Sequence, residues 1–388
     1  MDTDDLSFIL NHLGEDREAG FRAVVPPVVQ SGNFAYPTVA ALRQAMHNEF
    51  DLPVYTRGAN PTVAVVRRKL AALEHAEDAL LFSSGSAAIT AGIMAFVRAG
   101  DHVVSVRKPY SWTHKLLTAL LPRYGVECTF VDGSDAANFR DATTPRTRLF
   151  VLESPNSLTF ELQDLRAVTG IAREHGIITL CDNSYSSPVF QNPIDLGIDL
   201  VAHSGTKYLN GHSDVVCGVL AGSAANIRQV MEREFMTLGA VPSPHDAWLL
   251  MRGLRTLELR TNRSADSAER VARFLEAHPK VRQVNWPFLE SFPQYGLAKR
   301  QMRRCGGLMS FRLHAADIAA VERFCNSLQR FLMAVSWGGH ESLLFPTAAV
   351  VDPDAQTSEL PWDLVRLYVG LEDPETLIQD LDQALARV

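Results

Sequence analysis

Seven short apolar runs punctuate the first two-thirds of the chain, at residues 79–82, 102–106, 128–131, 149–152, 177–181, 200–202 and 215–221. Each is too short for a buried helix and apolar at consecutive positions, so both of its faces must be covered. Most are separated by stretches of helical spacing, which predicts a mostly parallel sheet with helices on both sides. A helix-rich stretch at 245–277 then leads to further strand candidates at 307–313, 333–335 and 364–369. The expectation is an α/β fold in three parts. Residues 1–52 form an irregular N-terminal arm, with Val24-Val25-Pro26-Pro27-Val28-Val29 as an extended piece lying on something else. Residues 53–244 form a large sheet domain, and residues 245–388 a smaller C-terminal α/β domain.

Composition narrows the partners. A net charge of -7 over 388 residues offers no electrostatic attraction for nucleic acid. The 5 cysteines are odd in number and contain no CxxC, which argues against a disulfide framework or a zinc ribbon and fits a reducing cytoplasm. Asp2, Asp4 and Asp5 stand where a secretory signal would need basic residues. Residues 79–97 carry no charge, but Ser83-Ser84-Gly85-Ser86 interrupts them, so a strand, a tight turn and a buried helix are expected there rather than a membrane span.

Open α/β sheets bind ligands at the carboxyl ends of their strands. The run at 177–181 ends in Asp182-Asn183, and the next one in His203-Ser204-Gly205-Thr206-Lys207. One strand-to-strand step separates Asp182 from Lys207, so both can reach one crevice. Phe82-Ser83-Ser84-Gly85-Ser86-Ala87 turns from strand to helix and leaves backbone N–H groups aimed at an anion. A lysine for a Schiff base, an aspartate for a pyridinium nitrogen and a helix start for a phosphate suit pyridoxal phosphate. Competing dinucleotide, P-loop and zinc-protease motifs are missing, and no metal is expected. Arg366 adds to this pattern: in Leu364-Val365-Arg366-Leu367-Tyr368-Val369 it shares a strand face with Leu364 and Tyr368, an odd place for a charge without an anionic partner.

The chain resembles the trans-sulfuration group of cysteine and methionine metabolism, which uses pyridoxal phosphate, from about residue 20 onward. The strings that carry the resemblance are Tyr55-Thr56-Arg57-Gly58-Ala59-Asn60-Pro61-Thr62, Ser84-Gly85-Ser86-Ala87-Ala88, Tyr110 and Asp182-Asn183-Ser184-Tyr185. They continue with Ser204-Gly205-Thr206-Lys207-Tyr208, Gly211-His212-Ser213-Asp214 and Ser336-Trp337-Gly338-Gly339. Within that group the chain is most similar to the cystathionine β-lyases, through Glu153-Ser154-Pro155-Asn156-Ser157-Leu158 and through Trp337, where γ-acting members usually carry Leu. Departures are Gly205, where Ala is commoner, Val335, and Ser157 or Asn156 where many relatives use an Asn near the cofactor's ring oxygen.

The resemblance implies the type I fold of pyridoxal-phosphate enzymes, the aspartate-aminotransferase-like architecture. It implies that Lys207 carries the cofactor and acts as general base, that Asp182 pairs with the ring nitrogen and that Tyr110 stacks on the ring. Gly85, Ser86, Ser204 and Thr206 would bind the phosphate, with Tyr55 and Arg57 from a neighbouring subunit of a homotetramer built as a dimer of dimers. Tyr55 and Tyr110 are candidate catalytic residues beside Lys207. Ser336, Trp337, Arg366 and Ser157 would meet the substrate, a small sulfur amino acid. The reaction implied is β-elimination of cystathionine to homocysteine, pyruvate and ammonia. A γ-acting lyase or synthase is the alternative, and a non-catalytic binding or regulatory protein on the same fold is the alternative of another class. The cluster Lys299, Arg300, Arg303 and Arg304 reads as a solvated helix face, and the cysteines as small buried hydrophobes, Cys181 alone lying near the site.

Overall fold

In a computed structural model that describes residues 5–350 and 360–388, the apolar runs of the first part become one sheet. Its strands are β1 (Asp78–Phe82), β2 (His102–Val106), β3 (Glu127–Val131), β4 (Thr147–Glu153), β5 (Ile178–Asp182), β6 (Leu200–Ser204) and β7 (Gly218–Gly222). They lie in the order β1-β7-β6-β5-β4-β2-β3, with β7 alone antiparallel to its neighbours. β2 and β7 are buried at every position, as strands covered on both faces must be.

Local signals place the helices around this sheet. Asn60 caps α3 (Pro61–Leu73) by accepting from the Thr62 N–H at 2.9 Å, and Pro61 occupies the first turn, where its missing N–H costs nothing. Val66, Leu70 and Leu73 then fall on the buried face that packs on β1. Residues 79–97 form β1, a turn and α4 (Gly85–Met94), with Ser84 capping at the Ala87 N–H. Among the described residues no helix is long and apolar enough to cross a membrane.

The smaller sheet comprises β8 (Val281–Asn285), β9 (Leu308–Leu313), β10 (Leu332–Met333), β11 (Leu343–Pro346) and β12 (Leu364–Tyr368), in the order β10-β11-β12-β9-β8. All its pairings are antiparallel except β10 with β11. Helix Leu257–Ala277 buries Val271, Ala272 and Leu275 in a core shared by both sheets, which also holds Leu81, Tyr208, Met309 and Val365.

Three expectations need correction. The arm is not uniformly irregular: α1 (Leu6–Asn11) and α2 (Val39–Met46) form there, capped by Asp5 and Thr38. Buried Lys69 fastens α1, donating to the carbonyls of Ile9 and Leu10 and pairing with Glu15 at 3.0 Å. The strand expected at 333–335 ends at Met333, because the chain turns at Ser336, whose φ is 78°. Of the basic cluster, Lys299, Arg300 and Arg303 are exposed as expected, but the helix ends at Gln301, and Arg303 donates to the Pro188 and Val189 carbonyls and to Asn192 while Arg304 pairs with Asp266. Asp2 and Asp4 of the acidic N-terminus lie outside the described residues.

Candidate active site

Strand register builds the centre of the crevice. Asp182 ends β5 directly beside Glu153 of β4 on one side and Ala202 of β6 on the other, so the three share one face. Ser204, two positions after Ala202, lies on that face too. α4 covers it, since a Cβ on Gly92 would meet Leu180 at 2.7 Å and Leu220 at 3.1 Å. Asp182 Oδ1 accepts from the Ser184 N–H at 2.9 Å and from its hydroxyl at 2.6 Å, while Oδ2 accepts from no described residue. Burial pushes the Asp182 carboxyl up, against the pull of Ser184, His203 and Lys207.

Lys207 follows β6, and its Nζ donates to Ser336 Oγ at 2.6 Å, 5.7 Å from the centre of the Trp337 ring. Desolvation, helped by the Arg366 charge and opposed by Asp182, lowers its pKa to about 8. Arg366, in the middle of β12, donates from Nη2 to the Ser336 carbonyl at 3.1 Å and lies 5.2 Å from the Phe345 ring centre. Among the described residues no carboxylate pairs with Arg366, and burial alone lowers its pKa to about 10. A half-buried guanidinium with no carboxylate beside it among the described residues can grip one in a two-pronged pair. Tyr208 braces this side, packing edge-on against Trp337 at 5.3 Å.

The α4 turn meets Ser204 closely: a Cβ on Gly85 would fall 2.9 Å from the Ser204 Cα and Cβ. Ser84 takes the N–H groups of Ala87 and Ala88, so those of Gly85 and Ser86 are left without a partner among the described residues. Thr206 is tied to Cys217 at both its N–H and its hydroxyl. Cys217 also explains Gly205, because a Cβ there would sit 2.6 Å from its sulfur. Two cysteines therefore border the site, not Cys181 alone. Four are buried and Cys128 is partly exposed, and all five are free thiols.

Ser157, not Asn156, faces the crevice group. Its Oγ is 2.5 Å from Glu153 Oε1, and the Tyr110 N–H donates to Glu153 Oε2 at 2.6 Å. Asn156 instead donates to Glu161, which also pairs with Lys108. Glu153 is the residue that sequence reading passed over, although the criterion that selects Asp182, a polar group closing an apolar strand, selects it equally.

Tyr55 and Arg57 are not brought to this crevice. Tyr55 is bridged to Asn33 and 53% exposed, and the Arg57 guanidinium rests 5.5 Å from its ring centre. Among the described residues Arg57 has no ion pair and no hydrogen bond to the α4 turn.

Comparisons with known proteins agree on the family and the fold. A family model described as Cys/Met metabolism PLP-dependent enzyme matches residues 8–386. The chain belongs to this family. An L-methionine gamma-lyase of Pseudomonas deceptionensis is 41% identical, with 96% of this chain and 95% of that protein covered. A cystathionine gamma-synthase of Mycobacterium tuberculosis is 40% identical over the same shares. The crystal structure of metB from Corynebacterium glutamicum superimposes with a TM-score of 0.93 at 34% identity, covering 100% of this chain and 99% of that one. As a family member the protein is a pyridoxal-phosphate-dependent enzyme of the α/β fold. These relatives are γ-acting by name and favour the γ-acting alternative over the β-lyase reading drawn from Trp337 and residues 153–158. The crevice fits the cofactor: Asp182 has an oxygen to spare, and the α4 turn has two amides.

Proposed function

We propose that the protein is a γ-acting enzyme of sulfur amino acids, lysing a thioether such as methionine or cystathionine or forming one by γ-replacement. The reading is carried by full-length similarity to relatives named L-methionine gamma-lyase and cystathionine gamma-synthase, and in the site Ser336 accepts from Lys207 Nζ at its Oγ and from Arg366 Nη2 at its carbonyl. It links a candidate base to a candidate carboxylate clamp at fixed separation.

In this reading Arg366 grips the substrate α-carboxylate with its two-pronged fork, and Ser336 Oγ orients the Lys207 amine over the substrate. With a pKa near 8, Lys207 is ready to take a proton near neutral pH and to return it. γ-Chemistry asks this of it at Cα and then at Cβ. Pyridoxal phosphate supplies the electron sink that makes those protons removable. Asp182 pairs with the ring nitrogen, whose positive charge offsets the burial of the carboxylate, and Tyr110 covers the ring. Gly85, Ser86, Ser204 and Thr206 hold the phosphate. Tyr55 and Arg57 reach it from a second copy of the chain, which suits their exposure and lack of partners here, and two such dimers make the tetramer. The five free thiols suit a cytoplasmic setting. Trp337 against Lys207 supports β-elimination as the second reading.

Products decide between them. Loaded with pyridoxal phosphate and given L-methionine or L-cystathionine, the protein is expected to release 2-oxobutyrate, or to join cysteine to an activated homoserine. Pyruvate with homocysteine as the main products would return the assignment to the β-lyases. Failure to take up the cofactor would favour a binding protein.

A further inference from the structure

Two carboxylates end adjacent strands here, and the cofactor needs only one. Glu153 is 8% exposed, in register with Asp182 and without a cation beside it. We propose that Glu153 is a positioning residue that works as a neutral acid: it holds its proton on Oε1, donates it to Ser157 Oγ, and so frees the Ser157 hydroxyl proton for the bound cofactor. This rests on the pyridoxal-phosphate reading of the crevice.

The geometry says which oxygen carries the proton. Oε2 faces the Tyr110 N–H at 2.6 Å, a donor, so it must accept. Oε1 faces Ser157 Oγ at 2.5 Å, a group able to donate or accept, so a proton fits only there. A serine hydroxyl has one proton. Were Glu153 ionised, Ser157 would spend that proton on the carboxylate and have none for the crevice. With Glu153 neutral, Ser157 accepts from it and can donate onward. The same carboxyl then fixes both the Tyr110 backbone and the Ser157 hydroxyl, and the chain obtains from a serine the single donor that an asparagine amide would supply.

The surroundings favour the neutral form. Desolvation first, then the Asp182 charge, raises the Glu153 pKa to about 8, against the pull of the Ser157 hydroxyl and of the Tyr110 and Ser157 backbone N–H groups. The other titratable groups nearby do not reverse this. The Cys181 thiol lies on β5, Lys207 and His203 act on Asp182, and Lys108 is engaged by Glu161 at 3.5 Å.

Infrared difference spectra of the full chain, recorded with and without added pyridoxal phosphate between about pH 7 and about pH 9.5, read the proton directly. A protonated-carboxyl band is expected to titrate in wild type and to vanish in Glu153→Gln. In Asp182→Asn its midpoint should move to lower pH, because a neighbouring negative charge is gone. Cofactor affinity, titrated with pyridoxal phosphate itself, reads the second half. Glu153→Gln imitates the neutral acid and should bind like wild type near pH 7. Wild type should lose about tenfold more affinity than Glu153→Gln as the pH rises, the worth of one hydrogen bond. Ser157→Ala should bind about tenfold more weakly already near pH 7. A titrating band that persists in Glu153→Gln, or Ser157→Ala binding as tightly as wild type, overturns the proposal. If the wild type takes up no pyridoxal phosphate while the Glu153 band titrates as described, the cofactor reading fails and the proton assignment stands.

Discussion

The crevice at the ends of β4, β5 and β6 and the loop around Tyr55 hold equally polar residues under opposite physical conditions. In the crevice, Glu153 and Asp182 are set by backbone ladders and Lys207 by the turn after β6, α4 covers the same sheet face, and hydrogen bonds of 2.5–2.6 Å join the three to Ser157, Ser184 and Ser336. Around Tyr55, an aromatic ring and a guanidinium face outward and touch mainly each other. A sheet specifies a polar constellation within one chain, because register fixes which side chains are neighbours. A surface loop holding unpartnered groups is specified only when another surface meets it.

Three changes would break or sharpen this contrast. Lys207→Ala should have the largest effect, eliminating turnover together with borohydride fixation of the cofactor. A peptide map with the label on another lysine would remove Lys207 from the centre. Asp182→Asn keeps the shape and removes the charge, so kcat should fall by about 100-fold or more, the scale of a lost electrostatic contribution to a transition state. An unchanged kcat would mean that the strand-end carboxylate is structural. The smallest departure from wild type is expected from a mixture. Arg57→Ala and Lys207→Ala should each be nearly inactive alone, and co-folded in equal amounts they should recover roughly a quarter of wild-type activity. Half of randomly paired dimers are mixed, and one of the two sites in each carries neither lesion. Subunit exchange without recovery would put Arg57 and Lys207 in the same site and erase the contrast.

Legibility followed the same division. The strand runs, Asp182, Lys207 and the α4 turn were readable because each leaves a local trace: a short apolar run, a polar residue closing it, a capping serine before a small-residue helix. Arg366 was readable as a charge on a strand face that should be apolar. β8 and β11 were not, because Val281-Arg282-Gln283-Val284-Asn285 is half polar and Leu343–Pro346 is only four residues long. That exposed Arg303 is also anchored was not readable, because its partners, the carbonyls of Pro188 and Val189, are backbone groups distant in sequence. The choice between β- and γ-chemistry rested on Trp337 and a short string around Glu153, too few positions to outweigh full-length similarity to γ-acting relatives.

By itself the sequence determined an α/β sheet protein with an aspartate and a lysine at the ends of successive strands and a capped helix start after an earlier one, because periodicity and strand termination are properties of contiguous residues. Tertiary structure alone decided that Ser157 bonds Glu153 while Asn156 bonds Glu161, and that Gly205 yields its Cβ space to Cys217. It also decided that Glu153 lies beside Asp182 and that Ser336 joins Lys207 to Arg366. Those pairs are many residues apart or meet only through strand register. Burial, which moves the pKa values of Glu153 and Lys207 toward each other near 8, exists only once the sheet, α4 and the smaller domain have closed around them.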